Sequence, residues 1–209
     1  MHIPKSGAFG LIKAKKSMNN LDQNFWDERY RTGQTGWDIG YVSPPLKTYF
    51  DNLTDKNLRV LIPGGGNSYE AAYLLEQGFK DVTVVDISAI VCQQLVDKYA
   101  SQGLKVSCQD FFDHLGSYDL VVEQTFFCAL NPSLRINYVQ KMSKLLSPVG
   151  KLMGLFFNRQ FEGGPPFGGN KGEYQLLFEQ ANYTITFDLH PNSVPPRKGA
   201  EVFFVATKK

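Results

Sequence analysis

The stretch from residue 58 to residue 86 constrains the fold more than any other. Leu58-Arg-Val-Leu-Ile-Pro-Gly-Gly-Gly-Asn-Ser-Tyr-Glu70 carries a short apolar strand into Pro63 and three glycines, and helical spacing begins at about Ser68. Val82-Thr-Val-Val-Asp then closes a second apolar strand on Asp86. A strand, a helix and a second strand connected in this way form a right-handed crossover between parallel neighbours, with a ligand crevice at the strands' carboxyl ends. Glycine admits close backbone approach at such a turn, and the amides opening the next helix favour anionic or polar groups. An acid about twenty residues further on is placed to accept hydrogen bonds from ribose hydroxyls.

The rest of the chain repeats the alternation. Apolar runs predict strands over 59–62, 81–85, 105–108, 120–123, 150–157, 183–189 and 201–207, and helical periodicity falls between them over 68–77, 88–102, 132–146 and 172–180. The expected fold class is α/β and Rossmann-like: a seven-stranded, mostly parallel sheet with helices on both faces and an antiparallel edge hairpin turning through 191–199. Upstream, Asn24-Phe-Trp-Asp-Glu-Arg-Tyr-Arg31 predicts a short helix interrupted by Gly33 and Gly36. Ser43-Pro-Pro-Leu starts another, with Leu46, Tyr49, Phe50 and Leu53 as its apolar face, ending near 51–54. We expect one domain over 21–209, preceded by a mobile polar arm over 1–20.

Several function classes lose support here. The net charge is +2 and the one basic cluster is Lys13, Lys15 and Lys16, so nucleic acid is not demanded as a partner. No apolar run suits a signal peptide or membrane span, so the expectation is a soluble, cytoplasmic protein with no membrane partner. Cys92, Cys108 and Cys128 are odd in number and widely spaced, which reads as reduced structural thiols. His2, His114 and His190 form no zinc-ligand spacing, and no metal is expected.

A glycine turn and a strand-ending acid also occur in nicotinamide-dependent oxidoreductases, and glycine turns occur without ligands. Two details favour a different cofactor. Tyr69 stands where the dinucleotide fingerprint has its third glycine. Gln109-Asp-Phe-Phe112 ends the third strand with an acid that could bond an adenine amino group and an aromatic that could cover its ring; as packing, the same residues are a cap and a core phenyl.

Taken together, Phe25-Trp-Asp-Glu-Arg-Tyr with Gly36-Trp-Asp-Ile-Gly, Pro63-Gly-Gly-Gly, Val85-Asp-Ile-Ser, Asp110-Phe-Phe, Thr125-Phe-Phe-Cys-Ala-Leu-Asn-Pro, Gly163-Gly-Pro-Pro-Phe and Val194-Pro-Pro-Arg-Lys-Gly resemble the thiopurine S-methyltransferase family. Within it, the plant-type branch that methylates thiols and halides is the nearer. The resemblance covers about 25–208 and implies the class I methyltransferase form of the fold. It implies methyl transfer from S-adenosyl-L-methionine, leaving S-adenosyl-L-homocysteine, to a small thiol, a thiopurine-like sulfur or a halide or pseudohalide.

By that resemblance, Trp26, Tyr30 and Trp37 belong to an aromatic lid over about 21–45. They bind the cofactor together with Gly64, Gly66, Asp86, Ile87, Asp110, Phe111 and Gln124: Asp86 at the ribose, Asp110 and Phe111 at adenine, Gly64 near the methionyl group. Trp37, Phe126, Phe156, Phe167 and Arg197 are the substrate-side candidates. Gln124 replaces the tyrosine of the plant-type branch and the arginine of the thiopurine branch, and Phe156 stands where the thiol and halide branch has a pocket tyrosine. Such a displacement needs alignment and desolvation rather than a protein nucleophile, so no triad is expected. The rival readings are a nicotinamide-dependent oxidoreductase and a cofactor-binding protein without turnover; the expected assembly is a monomer or weak dimer.

Overall fold

The computed structural model describes residues 21–209, so the arm expected over 1–20 lies outside the described residues. Two short helices, α1 (Gln23–Arg31) and α2 (Pro44–Asp51), precede the sheet. Then follow β1 (Arg59–Pro63), α3 (Tyr69–Glu76), β2 (Asp81–Asp86), α4 (Ala89–Tyr99), β3 (Lys105–Cys108), β4 (Tyr118–Gln124), α5 (Arg135–Leu145), β5 (Leu146–Phe157), α6 (Lys171–Gln180), β6 (Tyr183–Asp188) and β7 (Glu201–Lys208).

The strands form one sheet in the order β3-β2-β1-β4-β5-β7-β6. The first five are parallel neighbours, whereas β7 runs antiparallel to both β5 and β6. The final hairpin therefore does more than decorate an edge. Its second strand inserts beside β5, and β6 becomes the edge.

Alternation along the strands explains why both faces are covered. Val60 and Ile62 of β1, Val84 of β2 and Val122 of β4 pack on one side with Leu46 and Phe50 of α2, Leu74 of α3 and Leu95 of α4. Leu61, Val85 and Val121 point the other way, toward Tyr138 and Met142 of α5 and Phe178 of α6. Helix boundaries follow their caps. Asp22 accepts from the Phe25 N–H at 3.1 Å, Ser88 caps α4, and Asn170 accepts from the Glu173 N–H at 3.1 Å while donating to its carboxylate at 2.7 Å. The expected helix over 132–146 opens instead as a 3-10 turn, Pro132–Leu134, before α5. β5 also starts at Leu146 rather than 150, because the chain pairs Tyr118 with Leu146 before a register shift.

Candidate active site

The site is assembled at the carboxyl ends of β1, β2, β4 and β5. Asp86 ends β2 with 7% of its surface exposed. One carboxylate oxygen accepts from the Ser88 N–H at 2.8 Å and the other from the Gly66 N–H at 3.0 Å. The glycine turn and the opening of α4 thus hold one carboxylate between them, with acceptor capacity left over. Burial pushes the Asp86 carboxyl above its ordinary value, opposed by the Ser88 and Gly66 amides. Gly64 has φ +56°, and a Cβ there would lie 2.1 Å from Cδ2 of Phe126, so the turn accepts no side chain.

The leader is fastened over this turn by three carboxylates. Asp27 of α1 accepts from the Ser88 hydroxyl at 2.5 Å, Asp38 accepts from the Asn67 amide and from the Tyr69 hydroxyl, and Glu70 accepts from the Ser43 N–H at 3.2 Å. Its aromatic rings then meet edge to face, Trp26 to Trp37 at 5.6 Å and Tyr30 to Trp37 at 5.8 Å. Pairs of this kind add about 0.5–1.5 kcal/mol beyond the area they bury. Burial, and secondarily the Asp86 charge, raises the Tyr30 pKa, so its phenol stays neutral.

A cavity of about 800 Å³ opens between leader and sheet. Trp26, Tyr30, Trp37, Gly64, Asp86, Ile87, Asp110, Phe111, Phe126 and Arg197 line it. The remaining candidates sit elsewhere. Gly66 lies behind the wall, bonded to Asp86. Gln124 is not on the wall, and its side-chain oxygen is buried without a partner. Phe167 is off the wall in the glycine-proline loop, its N–H donating to the Cys128 carbonyl at 2.6 Å. Phe156 is 2% exposed and stacked at 3.9 Å on Phe204, inside the core. The next residue, Phe157, reaches the cavity instead, since successive strand side chains face opposite ways.

Asp110 does what a cap does, accepting from the Phe112 N–H at 2.8 Å, while remaining exposed at the cavity rim. Phe111 is both core and wall, 4% exposed with its ring 5.1 Å from Phe126. Arg197 is 8% exposed, ion-paired to Glu201 at 3.3 Å and hydrogen-bonded to the Trp37 carbonyl.

Further wall residues were not named as site residues from sequence, among them Arg29, Phe157, Arg159, Phe161, Pro165 and Pro166. Glu123, behind the wall, was also missed. It is fully buried, and burial pushes its carboxyl up to about 7. A strand-ending acid next to a Gly-free turn gives no sequence signal of that kind.

Among the described residues the wall contains no histidine or lysine. The Cys128 thiol, which lines it, is pushed up by burial and donates to the Thr125 carbonyl at 3.3 Å, so it remains protonated. Among the described residues no group of three or more histidines, cysteines or acids could hold a metal ion, and no helix is long and apolar enough to cross a membrane. The donor set suits a nucleoside sulfonium: a fixed carboxylate for ribose hydroxyls, and aromatic faces for a cation. The volume falls in the range of roughly 300–1,000 Å³ usual for small-molecule sites.

Residues 21–203 match the family described as Thiopurine S-methyltransferase (TPMT). A probable thiol methyltransferase 2 of Arabidopsis thaliana is 29% identical over 192 residues, spanning 88% of this chain and 84% of that protein. A thiopurine S-methyltransferase of Acinetobacter baylyi is 24% identical over 186 residues, spanning 77% and 85%. Among solved structures, the Burkholderia thailandensis 1,6-didemethyltoxoflavin-N1-methyltransferase, with bound 1,6-didemethyltoxoflavin and S-adenosylhomocysteine, superposes with a TM-score of 0.71 at 19% identity. That match covers 90% of this chain and 87% of that one, and the likeness is one of fold.

Proposed function

Since the chain belongs to the thiopurine S-methyltransferase family, and is an S-adenosylmethionine-dependent methyltransferase, we propose that it methylates a small soft nucleophile, a thiol or thiopurine-like sulfur ahead of a halide or pseudohalide. Family membership replaces the oxidoreductase reading. When bound, S-adenosylmethionine supplies a methyl group on a sulfonium whose departure leaves a neutral thioether.

The observation carrying the acceptor reading is the wall facing the glycine turn. Phe126, Phe157, Phe161, Pro165 and Pro166 make it largely apolar, and among the described residues it carries no histidine or lysine to ionise an alcohol or amine. An acceptor that ionises by itself, such as an aromatic thiol, needs only desolvation and alignment there. Thiols come ahead of halides because Phe156 is withdrawn into the core and the Arg197 guanidinium is engaged by Glu201 and Trp37. A halide therefore meets neither a hydroxyl at position 156 nor a free Arg197, and the Arg159 guanidinium on that wall packs over the Phe161 ring at 4.8 Å.

In this reading Asp86 orients the ribose through its hydroxyls, Gly64 lets the methionyl end approach the turn, and Asp110 with Phe111 borders adenine. Trp26, Tyr30 and Trp37 exclude water and face the sulfonium.

The test is a panel following S-adenosylhomocysteine release with sulfide, thiocyanate, iodide, aromatic thiols and thiopurines. Turnover with sulfur acceptors is expected. Turnover of oxygen or nitrogen nucleophiles alone would refute the acceptor class, and S-adenosylhomocysteine binding with no turnover on any acceptor would identify a binding protein.

A further inference from the structure

Glu123 is a fully buried acid with no cation beside it among the described residues, and the hydrogen-bond partners of its carboxylate are all donors. One carboxylate oxygen accepts from the backbone N–H groups of Phe126 and Phe127 at 2.9 and 2.8 Å, and the other accepts from the Tyr138 hydroxyl at 2.7 Å. Burying such a group costs several kcal/mol, which a well-packed apolar residue would not. Thr125, just before the two bonded amides, has φ +59°, a backbone angle unusual for a β-branched residue, so the turn needs an outside constraint. The β5 backbone closes the remaining space: a Cβ on Gly154 would lie 2.1 Å from the Glu123 carbonyl oxygen and 2.6 Å from its Cβ.

The bonded turn delivers one ring to the site. Phe126 lies against Gly64, where no Cβ fits, and lines the cavity at the carboxyl ends of β1 and β4. We propose that Glu123 is a positioning residue for methyl transfer, its carboxylate fixing the turn that sets Phe126 against the glycine turn between cofactor and acceptor. The placement of cofactor and acceptor rests on the function proposed above; the bracing of Phe126 does not.

Two substitutions separate shape from charge. Glu123→Gln keeps an oxygen for both backbone amides and an NH2 for the Tyr138 oxygen. Glu123→Asp keeps a titratable carboxyl group but withdraws it by one carbon–carbon bond, about 1.5 Å. The constants to measure are kcat and acceptor KM, with S-adenosylhomocysteine affinity by calorimetry. Glu123→Gln is expected to stay within about threefold of wild type in each. Glu123→Asp is expected to lose at least about tenfold in kcat and in S-adenosylhomocysteine affinity, with acceptor KM changing less, and to add nothing further in a Phe126→Ala background.

A Glu123→Asp protein equal to wild type, or a Glu123→Gln protein as impaired as Glu123→Asp, overturns the proposal. Should Glu123→Asp not fold, Phe126→Ala alone decides: the same losses at unchanged stability support it, and unchanged constants overturn it. If wild type turns over no acceptor, the acceptor reading fails, and the calorimetric arm still judges Glu123.

Discussion

The Arg197 guanidinium donates a hydrogen bond to the backbone carbonyl of Trp37, across 160 positions of sequence. It joins the loop between β6 and β7 to the aromatic leader, and its ion pair with Glu201 anchors that joint to the start of β7. Both residues are buried, 8% and 4% exposed.

Breaking one half of such a pair strands a buried charge, a loss of about 3–5 kcal/mol, whereas replacing both halves with apolar groups is often neutral. Arg197→Met is therefore expected to lower the unfolding free energy in urea by about 3 kcal/mol. Arg197→Met with Glu201→Leu should recover most of it. Equal losses in the single and double variants would show that the pair is not what matters.

Asp86→Ala removes the acceptor shared by the Ser88 and Gly66 amides. In the function proposed above the ribose hydroxyls also donate to it, and each hydrogen bond to a charged group contributes about 1.5–3 kcal/mol, so S-adenosylhomocysteine affinity should fall by about 100-fold or more in calorimetry. Wild-type affinity in that variant would remove Asp86 from the site.

Gly64→Ala places a Cβ against Phe126 in a left-handed backbone conformation. The backbone term alone costs about 1–2 kcal/mol. Thermal unfolding should show Tm falling by about 5 °C, and Phe126→Ala in the same chain should return part of the loss by removing the obstructing ring. No rescue would mean that the strain is purely backbone.

The Glu123 carboxyl has its ordinary value near 4.5 and is pushed up to about 7 by burial in the fold. The folded state therefore holds the proton more tightly, and this stabilisation is complete below pH 4.5 and lost as pH rises through 7. The titratable groups facing it are Tyr138 from α5 and Cys128 from the following turn, and burial raises both out of this window. Between pH 5 and 8 the wild type should lose about 2–3 kcal/mol of urea stability relative to Glu123→Gln, which has no proton to release. A pH-independent difference between the two proteins would contradict the buried titration.

Seven strands and their helices were legible because each period is local: apolar runs of strand length, then helical spacing closed by caps. The placement of Gly64, Asp86 and the Asp110-Phe111 pair at the strand ends was legible for the same reason, since a turn that excludes Cβ and an acid at a strand end are properties of a few consecutive residues. The strand β5 shows where this stops. Leu152, Met153, Leu155 and Phe156 are all buried, so apolarity does not alternate and cannot say which face each side chain takes. Phe156 therefore reads as a pocket residue until its stacking on Phe204 places it in the core and leaves Phe157 at the wall.

The sequence by itself determined the crossover architecture, the glycine turn and the acid that follows it, because hydrophobic period and backbone angle are written in neighbouring residues. Only the tertiary structure decided which phenyl faces the cavity, that Glu123 braces the turn carrying Phe126, and that Arg197 ties the leader to the far end of the chain. Those outcomes depend on side-chain parity in a sheet buried on both faces, and on hydrogen bonds whose partners meet only when distant segments pack together.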